Sequence, residues 1–547
     1  MSEPRTTHGD GDVESGAPRD AAPPRDGRLV LCSWLIAIAV FAACLFLYSR
    51  NNTFSYRYHP DEAGKIEQIL SNERNFNHPL LLLTATDVVS ELAGMEDDRQ
   101  EVVEAGRWVA AGCAALAVAA LALLAMKYQG LWAGICVGAI GAMSHRMLQY
   151  AHFMKEDTAL VMGLAVFFLA LAWFEHRRTT WALIVLAAAS AIAASGKYMG
   201  FITLPIAVPA VLLMMRSQDT QARKRAIRVF TRAFLATFAI INYHMILNLG
   251  DFFGSLKWEI KHSVTHHGGL TRSVPHTEYL ERFANDTFPL LWALIGIHFL
   301  FLAITWKKRR GSEWIVSAFP LVYAAVLSCS TLVYGRYFLP VMTFAYLLAG
   351  LGIAEGSRVV LAGRWRFAPA ARAVIVLIAL GATLALQWRD FERTRDAFRH
   401  DHRAALIAWI DENLPAAAVI AQDAYVRLPV DEDDGADQKR RRLSQEVISA
   451  RWVADLGPLD ELRADGVTHV AVCRTRYGRL FSENRRPTEE AEAEYFRRKA
   501  FYEDLFATGT LLWERESGAI THLQPALKLY RIAAEEVAPP TDVHGEK

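Results

Sequence analysis

The sequence lacks the cysteine patterns that stabilise small secreted domains or hold structural zinc. It has six cysteines, none of them in zinc-ligand spacing or in the arrangement of a disulfide framework. Cys473 stands in the polar C-terminal part, and the other five lie inside apolar runs: Cys32, Cys44, Cys113, Cys136 and Cys329. We therefore expect all six to act as small buried hydrophobic residues.

Two further absences narrow the class of protein. No basic tract interleaved with aromatic residues occurs outside the loops, so nucleic acid is not an expected partner. The first apolar run is not followed by a small-residue cleavage site, which favours an uncleaved anchor over a signal peptide. Residues 1–28 are polar and contain Pro23-Pro24, so we expect a disordered cytoplasmic tail there.

Apolar runs of roughly membrane-spanning length fill residues 29–388. They predict a mainly α-helical, polytopic membrane protein with about eleven transmembrane helices and a C-terminal soluble α/β domain over residues 389–547. The expected spans are residues 29–48, 108–126, 131–147, 159–174, 181–195, 199–215, 233–250, 289–305, 313–331, 337–354 and 373–388.

The basic residues between these runs predict the orientation of the chain. Clusters of Arg and Lys precede span one and follow spans two, four, six, eight and ten, which puts all of them on one side. Cytoplasmic loops carry such an excess of positive charge, so we expect the N-terminus to be cytoplasmic. The opposite, extracytoplasmic face of the inner or plasma membrane then holds residues 49–107, 148–158, 251–288 and the tail from residue 389.

Residues 389–547 have the pattern of one small α/β domain. Helices are predicted at Ala404–Leu414 and Glu489–Leu505. The predicted strands are Val419–Ile420, Val467–Val472, Thr508–Trp513 and Ala526–Ile532. The run Asp431–Arg442 changes from acidic to basic and is expected to be a solvated loop.

Acidic residues lie where two outer loops meet the membrane. Asp61 and Glu62 follow span one, and Lys155-Glu156-Asp157 stands at the mouth of span four. A carboxylate held there has the chemistry to remove a proton from an acceptor hydroxyl. A purely structural role stays open as the alternative, because Asp61-Glu62 and Asp157 are also suited to capping helix N-termini.

Cations on the same predicted face suit a phosphate leaving group. Lys197 and Arg336 lie on the side where positive charge is disfavoured, which argues for function over snorkelling, and Arg107 receives the same argument. Tyr198 and Tyr334 suit the interfacial aromatic belt as well as ligand contact. A loop with His266 and His267 among four histidines is expected to close over a polar substrate. The alternative for this loop is a metal site completed by His78 or Glu62.

These motifs together resemble the family 39 glycosyltransferases, which include protein O-mannosyltransferases and bacterial aminoarabinose transferases of the GT-C fold. The resemblance covers roughly residues 29–388. The residues that carry it, in order, are His59-Pro60-Asp61-Glu62, Asn77-His78-Pro79-Leu80, Arg107, Lys155-Glu156-Asp157, Gly196-Lys197-Tyr198 and Arg336-Tyr337-Phe338-Leu339-Pro340. Leu81 departs from the family pattern, which often has a second proline there. The tail also lacks a β-trefoil pattern, so protein O-mannosylation is not favoured over a bacterial or archaeal type of transfer.

The resemblance implies inverting transfer of a sugar from a polyprenyl-phosphate donor to a glycan, lipid or protein acceptor. Asp61 would be the base, supported by Glu62, and Asp157 would orient donor or acceptor. Lys197 and Arg336 would hold the lipid phosphate, with Arg107 assisting. The remaining residues expected to bind substrate are His78, Lys155, Glu156, Tyr198, His266, His267 and Tyr334. Some members use a divalent metal near this site. The alternatives from other classes are a secondary transporter and a noncatalytic membrane anchor for the tail.

Overall fold

A computed structural model of the protein describes residues 27–264, 270–272, 278–328, 334–359, 368–430, 443–483 and 485–533. The predicted disordered tail lies outside these residues except for Gly27 and Arg28, which begin the first helix. The predicted loop Asp431–Arg442 and the loop residues His266 and His267 also lie outside the described residues.

Seventeen α-helices precede the tail within the described residues. They are α1 (Gly27–Tyr48), α2 (Pro60–Leu70), α3 (Leu81–Ala93), α4 (Arg99–Gln129), α5 (Leu131–Ala142), α6 (His145–Ala151), α7 (Glu156–Arg177), α8 (Thr180–Gly196), α9 (Thr203–Met214), α10 (Thr220–Ile241), α11 (Tyr243–Leu247), α12 (Leu249–Val264), α13 (Glu278–Asn285), α14 (Pro289–Ile304), α15 (Gly311–Ser328), α16 (Leu339–Val359) and α17 (Ala368–Ala397).

The predicted number of eleven spans is corrected by the structure. Among the described residues, six helices are long and apolar enough to cross a membrane, in the positions of α1, α4, α7, α15, α16 and α17. The pair α5–α6 makes a seventh if it is one span bent by 60°. Three further predicted spans correspond to the shorter apolar helices α8, α9 and α14.

Two polar residues explain where the apolar runs break. Ser144 ends the run of α5 because its hydroxyl accepts a hydrogen bond from the Met147 amide and caps α6. Asn242 divides the predicted span 233–250 between α10 and α11. Its side chain donates to Ser195 Oγ at 2.7 Å and accepts from the Leu80 amide at 2.8 Å. Buried polar side chains that meet such partners interrupt a helix that hydropathy predicts as continuous.

The helices α4, α7 and α16 form the centre of the membrane part, and α8 packs against α7. Most of the apolar surface of α4, α7 and α16 is buried, whereas α1 and α17 bury little of theirs and so stand at the periphery. A Cβ atom at Gly163 of α7 would lie 2.4 Å from the Cα of Ala193 on α8. Small residues therefore let these two backbones approach closely, as is common between membrane helices.

A buried ionic network joins the C-terminal ends of α4 and α16, the start of α15 and the middle of α14. Glu355 accepts from Arg309 at 2.7 Å and contacts His298 Nδ1 at 2.9 Å. Glu313 accepts from Arg309 at 2.6 Å, and Gln129 of α4 donates to both carboxylates at 3.0 Å. Each buried carboxylate thus meets a charged or amide partner, which a buried charge requires. This network fastens α4, α14, α15 and α16 together.

The tail contains a mixed five-stranded sheet. Its helices are α18 (His402–Asn413), α19 (Leu459–Ala464), α20 (Arg474–Tyr477) and α21 (Glu492–Thr508). The strands of the chain are β1 (Leu270–Arg272), β2 (Val419–Asp423), β3 (Glu446–Ala450), β4 (His469–Cys473), β5 (Arg485–Pro487), β6 (Thr510–Arg515) and β7 (Leu527–Arg531). The sheet order is β3-β2-β4-β7-β6, with β2, β3 and β4 parallel and β6 and β7 antiparallel to their neighbours.

The structure agrees with most of the elements predicted for the tail and adds others. The predicted helices correspond to α18 and α21, and the predicted strands correspond to β2, β4, β6 and β7. Strand β3 was not predicted because its residues, Glu446–Ala450, mix polar and small side chains. Helix α17 continues from residue 368 to 397, across the predicted domain boundary at residue 389. The boundary itself stays a prediction.

The five described cysteines are free, and the prediction of their burial holds for four. Cys44, Cys113, Cys136 and Cys473 are buried, whereas Cys32 is exposed on the outer side of α1. That helix is peripheral, so a residue on its outward face has no protein neighbour to cover it. Cys329 lies outside the described residues.

The tail packs against the first loop between apolar helices. Tyr58, Phe153 and Phe398 form a buried cluster with Ile520 and Leu523 of the tail. Strand β1, in the loop that follows α12, pairs antiparallel with β5 of the tail. The aromatic cluster therefore holds the tail beside the loop that carries Asp61, and the strand pair joins the tail to the loop between α12 and α13.

Candidate active site

The first turn of α2 sets the directions of the two adjacent acidic side chains. His59 caps this helix, since its Nδ1 accepts a hydrogen bond from the Asp61 amide at 3.2 Å, and Pro60 begins the first turn. Neither Asp61 nor Glu62 is the capping residue. Both carboxylates instead contact residues of other segments, Asp61 contacting Lys155 and Glu62 contacting Arg107.

Asp61 faces two cations from distant parts of the sequence. Lys155 Nζ lies 2.5 Å from Asp61 Oδ2, and Arg336 Nη1 lies 3.9 Å from the same oxygen. The side chain of Asp61 is 40% exposed and that of Arg336 is 25% exposed. The three side chains lie together, as expected for segments that were predicted to share one face of the membrane.

A second set of ion pairs continues from this point. Lys197 Nζ lies 2.6 Å from Asp157 Oδ1, and Lys65 of α2 pairs with Glu156. Lys155 also lies 3.6 Å from Glu156 Oε2. The N-cap position of α7 is occupied by Lys155, so Asp157 is not its cap. One carboxylate oxygen each of Glu156 and Asp157 is buried without a hydrogen-bond partner.

We call these seven residues the outer cluster: Asp61, Lys65, Lys155, Glu156, Asp157, Lys197 and Arg336. Three carboxylates here face four cationic side chains, a formal excess of one positive charge. Asp61, with 40% of its side chain exposed, is the most exposed of the seven. The cluster is therefore suited to receive one anionic group beside an accessible carboxylate.

The neighbouring charges control the protonation of Asp61. Burial favours its neutral form, but Lys155, His59 and Arg336 outweigh burial and hold the pKa of the Asp61 carboxyl well below its usual range. Burial and the charge of Lys65, followed by those of Lys155 and Lys197, lower the pKa of His78 well below its ordinary value. Asp61 is therefore an anion and His78 a neutral imidazole near pH 7.

Glu62 and Arg107 form a buried pair of their own. Arg107 donates to Glu62 Oε1 at 3.0 Å and to Oε2 at 2.6 Å, and both side chains have no exposed surface. Glu62 also accepts from the Met154 amide at 2.8 Å, and Arg107 donates to the carbonyl oxygens of Asn52 and Phe54. These contacts join α2, α4 and the two outer loops. The supporting role of Glu62 and the phosphate role of Arg107 stay predictions.

The other predicted site residues differ in their placement. Tyr198 donates its hydroxyl to the carbonyl of Phe76 at 2.7 Å, which ties the turn after α8 to the first loop. The ring of Tyr334 lies 4.8 Å from the guanidinium carbon of Arg336. His78 is half-buried beside the outer cluster. Their roles in binding substrate remain predictions.

The donor set does not fit a metal site among the residues that the structure describes. No three His, Cys, Asp or Glu side chains come together there in a metal-binding group. Asp61 and Asp157 each hold a lysine ammonium group at one carboxylate oxygen, and this positive charge disfavours a metal cation beside it. No step is assigned to a metal.

The sequence patterns predicted no site role for Lys65 of the outer cluster or for its neighbours Tyr337 and His522. Lys65 lies one helical turn after Asp61, and this four-residue spacing was the available signal. The ring of Tyr337 lies 4.4 Å from Lys197 Nζ. The ring of His522 lies 4.3 Å from that of His59, and no local pattern links residues so far apart in the chain.

Comparison with solved structures defines the fold. The structure is similar to ArnT from Cupriavidus metallidurans bound to undecaprenyl phosphate, with a TM-score of 0.50 and 15% sequence identity over 94% of this chain and 99% of that chain. The chain has the GT-C fold. The predicted fold class, a polytopic GT-C protein with a C-terminal α/β part, is thus confirmed, and the chain is an integral membrane protein.

Two other GT-C proteins show weaker similarity. For the oligosaccharyltransferase AglB from Archaeoglobus fulgidus, in complex with an inhibitory peptide and a dolichol-phosphate, the TM-score is 0.46 and the identity 11%, over 88% of this chain and 72% of that one. For the arabinofuranosyltransferase AftD from Mycobacteria, the TM-score is 0.41 and the identity 13%, over 92% of this chain and 41% of that one. No protein-family model and no curated protein sequence matches the chain.

Proposed function

We propose that the protein is an inverting glycosyltransferase that moves a sugar from a polyprenyl-phosphate donor to an acceptor hydroxyl at the outer face of the membrane. The observation that carries the proposal is the accessible Asp61 carboxylate between Lys155 and Arg336, with Lys197 in the same cluster. An anionic base beside an excess of positive charge suits the reacting parts of such a donor and acceptor.

Asp61 acts as the general base of this reaction. It takes the proton of the acceptor hydroxyl as that oxygen forms a bond to the anomeric carbon of the sugar. The bond from the same carbon to the phosphate oxygen breaks on the opposite side, and the polyprenyl phosphate leaves with the electron pair. Attack opposite to the leaving group inverts the configuration at the anomeric carbon.

Lys155, Lys197 and Arg336 hold the phosphate of the donor. Their charges stabilise the negative charge that grows on the departing phosphate. The bound phosphate also offsets the cations that lower the pKa of Asp61. Asp61 therefore becomes a stronger base when the donor is present, which couples proton removal to donor binding. Asp157 keeps Lys197 in place through their 2.6 Å ion pair.

The orientation of the chain belongs to the same proposal. The N-terminus is cytoplasmic, and the outer cluster and the tail lie on the extracytoplasmic side, as the distribution of Arg and Lys predicts. A secondary transporter usually places its charged substrate site near the middle of the bilayer. Here Glu156 and Asp157 begin α7, and Lys197 follows α8, so the outer cluster lies at helix ends. A noncatalytic anchor leaves this cluster without a role.

The donor is identified by assaying a panel of radiolabelled polyprenyl-phosphate sugars with membranes that contain the protein. We expect transfer of label from one class of donor and no transfer from the matching nucleotide sugar. Membranes from cells without the gene give the background. Label transfer from a nucleotide sugar but from no polyprenyl-phosphate sugar would contradict the proposed donor class.

A further inference from the structure

The parallel strands of the tail present a crevice at their carboxyl ends. From β2 the chain passes to β3 on one side and then returns to β4 on the other side of β2. The loops that follow β2 and β4 therefore diverge, and open α/β sheets bind ligands at this kind of switch point. Tyr425 follows β2, Arg451 and Trp452 follow β3, and Arg476 follows β4.

Arg476 occupies this crevice without an anionic partner among the residues that the structure describes. Arg476 is only 9% exposed, and its Nε is buried without a hydrogen-bond partner. The guanidinium carbon lies 4.4 Å from the centre of the Tyr425 ring and 5.5 Å from that of Trp452. Aromatic stacking orients the guanidinium but does not replace the acceptors that a buried cation requires.

The nearby carboxylate does not supply those acceptors. Asp423 accepts from Tyr502 Oη at 2.7 Å, from the Val453 amide at 2.9 Å and from the Cys473 amide at 3.2 Å. Burial raises the pKa of Asp423 to about 6, so its charge is also incomplete at mildly acidic pH. Its hydrogen bonds join the ends of β2 and β4 and set the width of the crevice.

Two more arginines add positive charge at the same place. Arg451 follows β3, and Arg479 lies three residues after Arg476, so both arginines stand at the same edge of the sheet. After burial, their charges lower the pKa of Arg476. Arg451 is exposed and Arg479 is half-buried. Three arginines around one crevice suit a group with several acceptor oxygens in a tetrahedral arrangement.

We propose that this crevice, lined by Arg476, Arg451, Arg479 and Tyr425, binds the phosphate monoester group of a ligand. The site is separate from the outer cluster, and binding does not depend on the glycosyltransferase function. A phosphorylated soluble compound and the phosphate monoester headgroup of a membrane lipid share the required chemistry. Arginine binds such a group through parallel hydrogen bonds, and stacking on the Tyr425 ring fixes the orientation of the Arg476 guanidinium.

The crevice is linked to the loop that carries Asp61. Arg403 donates to the backbone carbonyl oxygens of Tyr425 and Val426, and its guanidinium carbon lies 4.6 Å from the centre of the Tyr58 ring. Tyr58 directly precedes His59, the cap of α2. A ligand that orders Tyr425 therefore also acts on a contact with the first outer loop.

The test measures hydrogen–deuterium exchange of the full-length protein in phosphatidylcholine nanodiscs. Glucose 1-phosphate is titrated at constant ionic strength, with glucose as the uncharged control. We expect saturable protection of the backbone around residues 424–428 and 474–480. Arg476→Gln and Arg451→Gln should each weaken this binding by roughly 10-fold or more, because each removes a charge-assisted hydrogen bond. Arg515→Gln removes an exposed charge from β6, at the far edge of the sheet, and should leave the curve unchanged.

A second arm distinguishes the source of the phosphate. Nanodiscs that contain phosphatidic acid are measured without soluble ligand. Protection that depends on Arg476 in this arm identifies a lipid headgroup, and protection only with glucose 1-phosphate identifies a soluble ligand. If Arg476→Gln disturbs the fold of the tail, the variant Arg451→Gln, at an exposed residue, provides the test of binding. Equal curves for wild type and Arg451→Gln, or no protection in either arm, would overturn the proposal.

Discussion

At the scale of single residues, Asp61 combines exposure with a strongly lowered pKa. The carboxylate is 40% exposed, and burial is outweighed by the charges of Lys155, His59 and Arg336. The sequence predicted that Asp61 follows the first span. It also predicted that Lys197 and Arg336 lie on the outer face, where positive charge is disfavoured. The presence of Lys65 in the same cluster was not predicted, because four-residue spacing on a helix is common and does not by itself indicate function.

Lys197→Gln tests the proposed contact with the donor phosphate. The change removes one charge from the cluster and leaves the buried Asp157 without its partner. We expect KM for the polyprenyl-phosphate sugar to rise about 10–100-fold, as for loss of one charged hydrogen bond. Lys308→Gln, which removes an exposed lysine beyond α14, is the matched control. Wild-type kinetics for Lys197→Gln would argue against phosphate binding by this lysine.

At the scale of elements, polar residues decide details that hydropathy does not show. Within the described residues, each predicted apolar run is mainly helical, because long apolar segments must satisfy their backbone groups within a helix. The number of full spans was wrong for two reasons. Ser144 and Asn242 interrupt two of the apolar runs, and α8, α9 and α14 are shorter than the helices that qualify as spans. Likewise, hydropathy does not show that Glu62, which is adjacent to Asp61, pairs with Arg107 of α4.

The Glu62–Arg107 pair is expected to stabilise the junction of α2 and α4. Arg107→Met leaves a fully buried carboxylate and should lower the free energy of unfolding by about 3–5 kcal/mol. Combining it with Glu62→Leu should recover much of that loss, because no charge then remains buried. Chemical unfolding in detergent micelles measures both. The exposed pair Arg99–Glu67 joins the same two helices, and Arg99→Met should cost under about 1 kcal/mol. Equal losses for the Arg99 and Arg107 variants would contradict this account.

At the scale of the whole molecule, the tail is fastened to the loop of the outer cluster. The ring of His522 lies 4.3 Å from that of His59, within a group of aromatic side chains that includes Phe153. The α/β character of the tail was predictable from its alternating helix and strand patterns. Its docking was not, because residues 59 and 522 are joined only by the folded chain. The pairing of strand β1 with β5 was not predicted either, because these strands are far apart in the sequence.

The histidine pair makes this docking sensitive to pH. Burial and the charge of His522 lower the pKa of His59 well below its ordinary value, and burial with Arg403 lowers that of His522 to about 4. An imidazole in the unfolded chain binds a proton below about pH 6.5. The released state therefore takes up protons that the docked state does not, and docking weakens as the pH falls from about 6.5 to about 4.

Hydrogen–deuterium exchange of residues 519–524 measures this docking as a function of pH. After correction for the intrinsic exchange rate, we expect protection to decrease from pH 6.5 to pH 4.5. His522→Phe keeps an aromatic ring without the titrating group and should make that decrease smaller, while His59 retains its own contribution. A decrease of the same size in His522→Phe and wild type would assign the pH dependence to other residues.

The most direct test of the proposed function compares sugar transfer by wild type and Asp61→Asn. Both are purified in nanodiscs and supplied with the polyprenyl-phosphate sugar that the donor panel identifies. Asparagine keeps the size of the side chain but cannot accept the proton, so we expect the rate to fall by about 10²–10⁴-fold with thermal unfolding little changed. Asp396→Asn, at an exposed carboxylate of α17, should retain the wild-type rate. A wild-type rate for Asp61→Asn would show that Asp61 is not the base and would contradict the central claim.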